Sequence, residues 1–360
     1  MPLKFMINKG VFFMKPQKEA LEIVKKYISK YNEDNEDKIK ENLLKELKNY
    51  LVRTGDGTVT LRSEDSKEMM HSSVGALTEA IYKFVKPTKL EERKDPFILD
   101  LCSGLTYNAV AALNYNRNAK IHMVEICEEV LFLSLFIDIP LKEHEIIKDK
   151  VREYFLNKLG YSYKSKYKNV ILTVGDARKV KFYNYDVVFH DAFSPKRDPT
   201  LYTYNFLKKL YNSMNKNSVL SSYSSSIPFR RALVENNFII SEEKSPERKR
   251  GITLAYKDID YKPNRVNEVD ERLIALSISS IPYIDKTLSW SKEKIIKYRE
   301  EIKLRVKMEA GNYISTKKIR ANKVPNEIVK IQKEDKNSTE IIKKMSKVIG
   351  WDSILRRYLS

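Results

Sequence analysis

Apolar positions in the middle of the chain fall into short, nearly continuous runs separated by longer stretches at helical spacing. FILDL (97–101), KIHMVEI (120–126), NVILTV (169–174), YDVVFHD (185–191) and SVLSSY (218–223) are too short for helices and read as buried strands. Residues 105–113, 128–136, 201–214 and 228–235 read as the helices between them. FIISEE (238–243) and GITLAYK (251–257) are expected to pair as a terminal antiparallel unit. Alternation of this kind predicts an α/β fold built on a doubly wound, mostly parallel sheet with helices on both faces.

The flanks follow other patterns. Leu21, Val24 and Ile28, then Leu43, Leu44 and Leu47, keep helical spacing on either side of the turn-forming YNEDNEDK (31–38). In TGDGTVTL (54–61), Gly55, Asp56 and Gly57 form a hairpin turn that leads into a strand. A helix follows over 73–85 and Pro87 ends it. Beyond Lys262-Pro263 the strands cease. A helix over 291–308 and a basic tract at Lys317, Lys318, Arg320 and Lys323 stand out. The expected organisation is a helical N-terminal extension (1–53), a main domain (54–262, core 97–257) and a basic, mainly helical C-terminal extension (263–360). No internal repeat is present.

Charge narrows the partners. Lys and Arg number 67 against 48 Asp and Glu, a net charge of +19, which points to a polyanion such as RNA. A lysine-rich proteome or adaptation to heat gives the same excess. The two cysteines, Cys102 and Cys127, form no CxxC pair and the four histidines are scattered, so no metal is expected. Both cysteines lie in or beside strands, as free buried thiols do in a reducing cytoplasm. No apolar run is long enough to span a bilayer, and 1–16 lack the apolar core of a signal peptide, so no membrane association is expected.

The chemistry concentrates at strand ends. Asp100 precedes Cys102-Ser103-Gly104-Leu105-Thr106-Tyr107-Asn108, a turn in which one glycine lets the backbone approach a ligand. Taken alone, an ordinary strand-to-helix turn explains it equally well. Glu125 ends the second strand, where a carboxylate can accept two ribose hydroxyls. Gly175-Asp176-Ala177-Arg178 follows the third, and an acid there can accept from an adenine amino group. Any one of these acids can be surface charge; three in register argue for a nucleoside ligand. His190-Asp191-Ala192-Phe193-Ser194-Pro195 follows the fourth strand, and Asp191 can orient an amine or take its proton. His190 is read as packing. His71, Ser72 and Glu79 precede the first core strand. A helix cap and a role at the cofactor are equally consistent with them.

HSSVGALTEA (71–80), ILDLCSGLTYNAVAAL (98–113), GDAR (175–178), VVFHDAFSPKRDPTLYT (187–203), YSSS (223–226) and RKRGITLA (248–255) also carry a resemblance, together with TGDGTVTL. They resemble the MnmC-like family, the methyltransferases related to the methylating domain of the bifunctional tRNA 5-methylaminomethyl-2-thiouridine biosynthesis protein. SIPYIDKTLSW (280–290) looks like a tail motif of its stand-alone members, so the resemblance spans about 54–290. The turn at 102–108 departs from the family's richer glycine and phenylalanine content.

The resemblance implies a Rossmann-like class I methyltransferase fold and bound S-adenosyl-L-methionine. It implies methyl transfer to the amine of 5-aminomethyluridine at the tRNA wobble position, with Asp191 as the key acid. The expected cofactor residues are Asp100, Ser103, Gly104, Tyr107, Asn108, Glu125, Asp176, Ala177, His71, Ser72 and Glu79. The expected acceptor residues are Phe193, Pro195, Tyr223, Ser224 and Arg230, with Arg231, Arg248, Lys249 and Arg250 as further phosphate contacts. No oxidase domain follows within this chain, so a partner enzyme is expected to supply the aminomethyl precursor. Three rival readings are kept: a methyltransferase for another RNA, protein or small-molecule amine; an aminopropyltransferase; and a non-catalytic RNA-binding protein.

Overall fold

The computed structural model describes residues 17–62, 74–244, 251–310 and 313–359. The chain opens with two helices, α1 (Lys18–Ile28) and α2 (Glu36–Glu46), and a hairpin of β1 (Leu51–Arg53) and β2 (Val59–Leu61). A short helix, α3 (Ala76–Ala80), then widens into a π-helical turn at Ile81–Val85.

The core alternates as expected: β3 (Phe97–Leu101), α4 (Tyr107–Tyr115), β4 (Lys120–Glu125), α5 (Glu128–Leu133), α6 (His144–Lys158), β5 (Val170–Val174), β6 (Tyr185–His190), α7 (Tyr204–Asn212), β7 (Met214–Ser222), α8 (Ile227–Glu235), β8 (Ile239–Glu243) and β9 (Ile252–Lys257). The chain ends in α9 (Glu268–Leu276), α10 (Lys292–Ala310), α11 (Thr316–Arg320), α12 (Asn326–Gln332), α13 (Ser338–Val348) and α14 (Asp352–Leu359).

The seven strands from β3 onward form one sheet in the order β5-β4-β3-β6-β7-β9-β8. The first five in that order run parallel, and β9 lies antiparallel between β7 and β8. Side chains alternate between two cores, as a period of two requires. Ile98, Met123, Val187 and Val219 meet α1, α4, α5 and α6 on one face. Leu99, Val124, Val188 and Leu220 meet α7, α8, α9 and α13 on the other. Each such buried side chain contributes roughly 1.5–3 kcal/mol. With both faces covered, only the strand ends remain open to a ligand. The switch point, where the order reverses between β3 and β6, brings Asp100, whose register partner is Phe189, and Asp191, two residues further on, to the same carboxyl edge.

Two elements differ from expectation. The helix of 128–136 stops at Leu133, and α6 had no counterpart in the reading of the strand pattern. Among the described residues, no helix is long and apolar enough to cross a membrane.

Candidate functional site

The turn after β3 is unusually tight. Cys102, Gly104 and Thr106 all take positive φ, at 63°, 50° and 70°. Of the three, only glycine adopts this conformation without steric cost. The folded turn directs the Gly104 amide at Glu125, whose Oε2 accepts it at 2.8 Å; Oε1 accepts the amides of Ile126 and Cys127, each at 2.8 Å. Burial raises the Glu125 carboxyl above its usual range, and these three donors only temper the effect. Ile126 is 67% exposed beside this acid, an apolar face at the site edge that the sequence reading missed.

Asp100 is fully buried, and neither carboxyl oxygen has a hydrogen-bond partner. Burial pushes its carboxyl up to about 7; Ser103 and Asn108 stand close enough to moderate this without closing a bond to it. The Ser103 hydroxyl instead donates to the Asp100 carbonyl at 3.0 Å.

Asp176 is less available. Burial would raise its carboxyl, but the Arg178 guanidinium, bound at 2.7–3.1 Å, holds it below the usual range. Arg178 also donates to Asp285 Oδ2 at 3.0 Å and to the Trp290 carbonyl at 2.8 Å. The 280–290 motif therefore buttresses the β5 strand end, a long-range link that local pattern does not reveal. Ala177, next to Asp176, is buried in the second core.

Asp191 accepts a hydrogen bond from Asn108 Nδ2 at 3.0 Å and retains partial solvent exposure. Protein crowding dominates its chemistry and pushes its carboxyl up to about 8; Asn108 opposes the shift, Glu79 and Asp100 add to it, and Lys83 offsets part of it. Its loop is held firmly: Tyr202 and Tyr223 each donate a phenolic hydrogen to the Ala192 carbonyl at 2.8 Å. Phe193 lies half-buried and Pro195 buried in that loop. The Tyr223 hydroxyl thus serves the loop, while its half-buried ring packs against the first core. Ser224 is buried, and its carbonyl accepts from Thr253 Oγ1 at 2.7 Å. His190 packs, as expected. It stacks on Phe229, hydrogen-bonds the Leu201 carbonyl at 2.8 Å, and is pushed down to about 4 by burial.

Glu79 enters from α3, in an ion pair with Lys83 Nζ at 2.5 Å. The helix is placed by Asp56, whose Oδ2 accepts the Thr78 amide and hydroxyl, each at 2.9 Å. Gly75 is needed for this approach: a Cβ there would sit 2.0 Å from the Asp56 carboxyl. Lys83 went unremarked in the sequence, although its spacing of four from Glu79 is a readable pairing signal.

Several expected residues lie elsewhere. Tyr107 acts as a strut: it is 2% exposed, and its hydroxyl donates to the Val59 carbonyl at 2.7 Å and accepts the Val59 amide at 3.1 Å. Arg230 is not at an RNA surface. It is fully buried, paired with Glu242 and Asp270 at 2.7 and 2.9 Å and bonded to Thr253 Oγ1 at 2.8 Å. Arg231 is likewise internal, paired with Glu235 and Asp352. His71, Ser72, Arg248, Lys249 and Arg250 lie outside the described residues. A recess of about 490 Å³ at the C-terminal end of α8, lined by Glu235, Asp352 and Arg356 among others, belongs to this structural ion-pair region and contains none of the strand-end acids.

The carboxyl edge of the sheet, by contrast, suits a cationic nucleoside ligand. It offers an unpartnered buried carboxyl at Asp100, a backbone bare of Cβ at Gly104, and acids at three neighbouring strand ends. Comparisons with known proteins agree. Residues 141–258 match the model of a family described as S-adenosyl-L-methionine-dependent methyltransferase. A protein of Methanocaldococcus jannaschii, described as uncharacterised, is 64% identical over 340 residues, covering 92% of this chain and 96% of the relative. The crystal structure of MnmC2 from Aquifex aeolicus is 27% identical with a TM-score of 0.56, covering 81% of this chain and 99% of that one. The family model and the structural likeness to MnmC2 together support an MnmC-like, S-adenosyl-L-methionine-dependent methyltransferase.

Proposed function

We propose that this chain N-methylates the aminomethyl group of a modified wobble uridine in tRNA, with Asp191 positioning the amine and taking its proton. The observation that carries this reading is the state of Asp191: one hydrogen-bond donor, a partly exposed edge, and a carboxyl raised chiefly by burial. A carboxyl that titrates near neutral pH can take a proton from an arriving ammonium.

Bound S-adenosyl-L-methionine supplies an electrophilic methyl group on a sulfonium. Asp100, Ser103, Gly104, Asn108, Glu125, Asp176 and Ala177 are assigned to hold it, with Ile126 offering an apolar face to the base. Glu79 and Asp100 bring acidic groups to the Asp191 side of the sheet edge, which favours a cationic cofactor and a cationic acceptor alike. Phe193, Pro195, the Tyr223 ring and Ser224 border the acceptor side. The chain aligns the reactants and keeps bulk water away, the main sources of rate in such transfers. The likeness to MnmC2 and the charge of +19 support tRNA as the macromolecule. A partner enzyme then has to supply the aminomethyl precursor.

The test is transfer of labelled methyl from S-adenosyl-L-methionine to tRNA lacking its wobble methyl group, followed by nucleoside analysis. Label in 5-methylaminomethyluridine or its thio form is expected. Bound cofactor without label in any tRNA overturns the substrate assignment. Because affinity for a polyanion rests on counterion release, tRNA binding should weaken steeply between 50 and 200 mM salt, by about 10³-fold or more if six phosphates are contacted.

A further inference from the structure

We propose that Lys83 is a positioning residue of the reaction centre, whose ammonium, tied to Glu79 inside the fold, moderates the charge that Asp191 carries before the acceptor binds. The purpose assigned to it rests on the amine-methylating reading above; the electrostatic role itself does not.

Lysines are almost never buried unless paired, and Lys83 is only 7% exposed. Packing fixes its position. It lies in the π-helical turn at Ile81–Val85, an irregularity that recurs at functional sites. The Lys83 carbonyl accepts the Ser221 hydroxyl at 2.6 Å, and the next residue, Phe84, packs its ring on Phe189 at 5.7 Å. Phe189 and Ser221 are register partners across β6 and β7. Lys83 is therefore docked over the β6–β7 pair, two residues before Asp191.

The groups around Asp191 come from every element packed on it. Glu79 and Lys83 come from α3 and its widened turn, Asp100 and then Cys102 from β3 and its exit, and Asn108 from α4. The phenols of Tyr202 and Tyr223 hold the adjoining carbonyl. Among these groups Glu79 and Asp100 are carboxyls, and Lys83 is a cation. A buried Glu–Lys pair is weak support for stability, because well-packed apolar residues of similar volume usually do as well. Its value here is local. Glu79 raises the proton affinity of Asp191 and Lys83 lowers it. The acceptor's proton moves from its ammonium nitrogen to a carboxylate oxygen of Asp191, leaving a neutral amine and a carboxylic acid. Lys83 increases the share of Asp191 that is ionised and able to receive that proton.

The experiment is a ligand-free NMR titration of the full chain carrying carboxyl-labelled aspartate, with the Asp191 signal assigned by D191N. Lys83→Met should raise the Asp191 midpoint by about one pH unit and Glu79→Gln should lower it by a similar amount, while Lys83→Arg should stay within ~0.3 unit of wild type. Opposite shifts are the signature, because a merely structural pair would move neither midpoint or both the same way. An unmoved midpoint in Lys83→Met, or in Glu79→Gln should Lys83→Met fail to fold, overturns the proposal. The titration needs no acceptor. Opposite shifts without methylation of any amine would retain Lys83's role and remove the amine reading; methylation with unmoved midpoints would do the reverse.

Discussion

Asp56 and Asp191 lie in the two loops most strongly marked in the sequence, TGDG and HDAFSP, and the fold treats them in opposite ways. Asp56 accepts five hydrogen bonds, from the Thr54 hydroxyl and from the amide and hydroxyl of both Thr58 and Thr78. Burial would raise its carboxyl, yet these donors hold it down at about 2. Asp191 accepts one, from Asn108, and burial takes it up to about 8. A satisfied carboxylate fixes structure, whereas an under-satisfied one retains capacity for a proton or a cation. The two are connected: Asp56 anchors α3 at Thr78, and α3 with its widened turn carries Glu79 and Lys83 to Asp191.

The largest expected effect comes from removing the under-satisfied acid. Asp191→Ala should lower the single-turnover methyl-transfer rate by about 10²–10⁴-fold, the range of a lost general base, and leave cofactor affinity within a few-fold. Calorimetric titration beside the rate measurement checks this; loss of cofactor binding would move Asp191 into the cofactor's contacts instead.

Removing the satisfied acid should act on stability. Asp56→Ala strands donors from three threonines and uncaps α3, at a cost of about 2–3 kcal/mol in denaturant unfolding. Gly75→Ala drives a Cβ into the same carboxyl at a φ of 156° and should cost about 1–3 kcal/mol. In an Asp56→Ala background the steric part of that cost disappears, so the double variant should be more stable than the sum of the single losses predicts. Strict additivity would show that the Gly75 requirement is conformational alone.

The same contrast explains what the sequence discloses. The strands were legible because runs such as FILDL and VVFHD are buried on both faces, and their ends placed Asp100, Glu125 and Asp191 at one edge without any tertiary information. The helix α6 was not, because its core stripe of Ile147, Val151 and Phe155 supplies one residue per turn among charged neighbours. Arg230 and Arg231 were misread for a different reason. Adjacent arginines at a helix start resemble phosphate contacts, and beside the nearer Glu235 and Glu242 they are neutralised by Asp270 and Asp352, 40 and 121 positions away. The strut made by Tyr107 was hidden in the same way, since its partner Val59 lies 48 positions upstream. Local pattern reports which face is apolar; it does not report which charge a distant segment will neutralise.

The smallest effect offers the closest view of the under-satisfied side. Asp100 and Asp191, at about 7 and about 8, are both raised in the folded state. The stability that each contributes is full below the unfolded value of 3.8 and is lost as pH rises through the folded value, whereas that from Asp56 appears above 3.8 and is lost as pH falls through about 2. A sulfonium ligand reverses the penalty on the raised pair, because a nearby cation favours the ionised carboxyl. Cofactor binding at pH 7 should therefore release protons, on the order of one per protein, and tighten as pH rises from 6 toward 8.5. Calorimetry in two buffers of different ionisation enthalpy measures the release directly. S-adenosylhomocysteine, neutral at sulfur, should release fewer protons, and Asp191→Asn should remove part of the difference while leaving the Asp100 share. Equal heats in both buffers would mean that the two acids are already ionised without ligand, and the contrast with Asp56 would then be one of packing rather than charge.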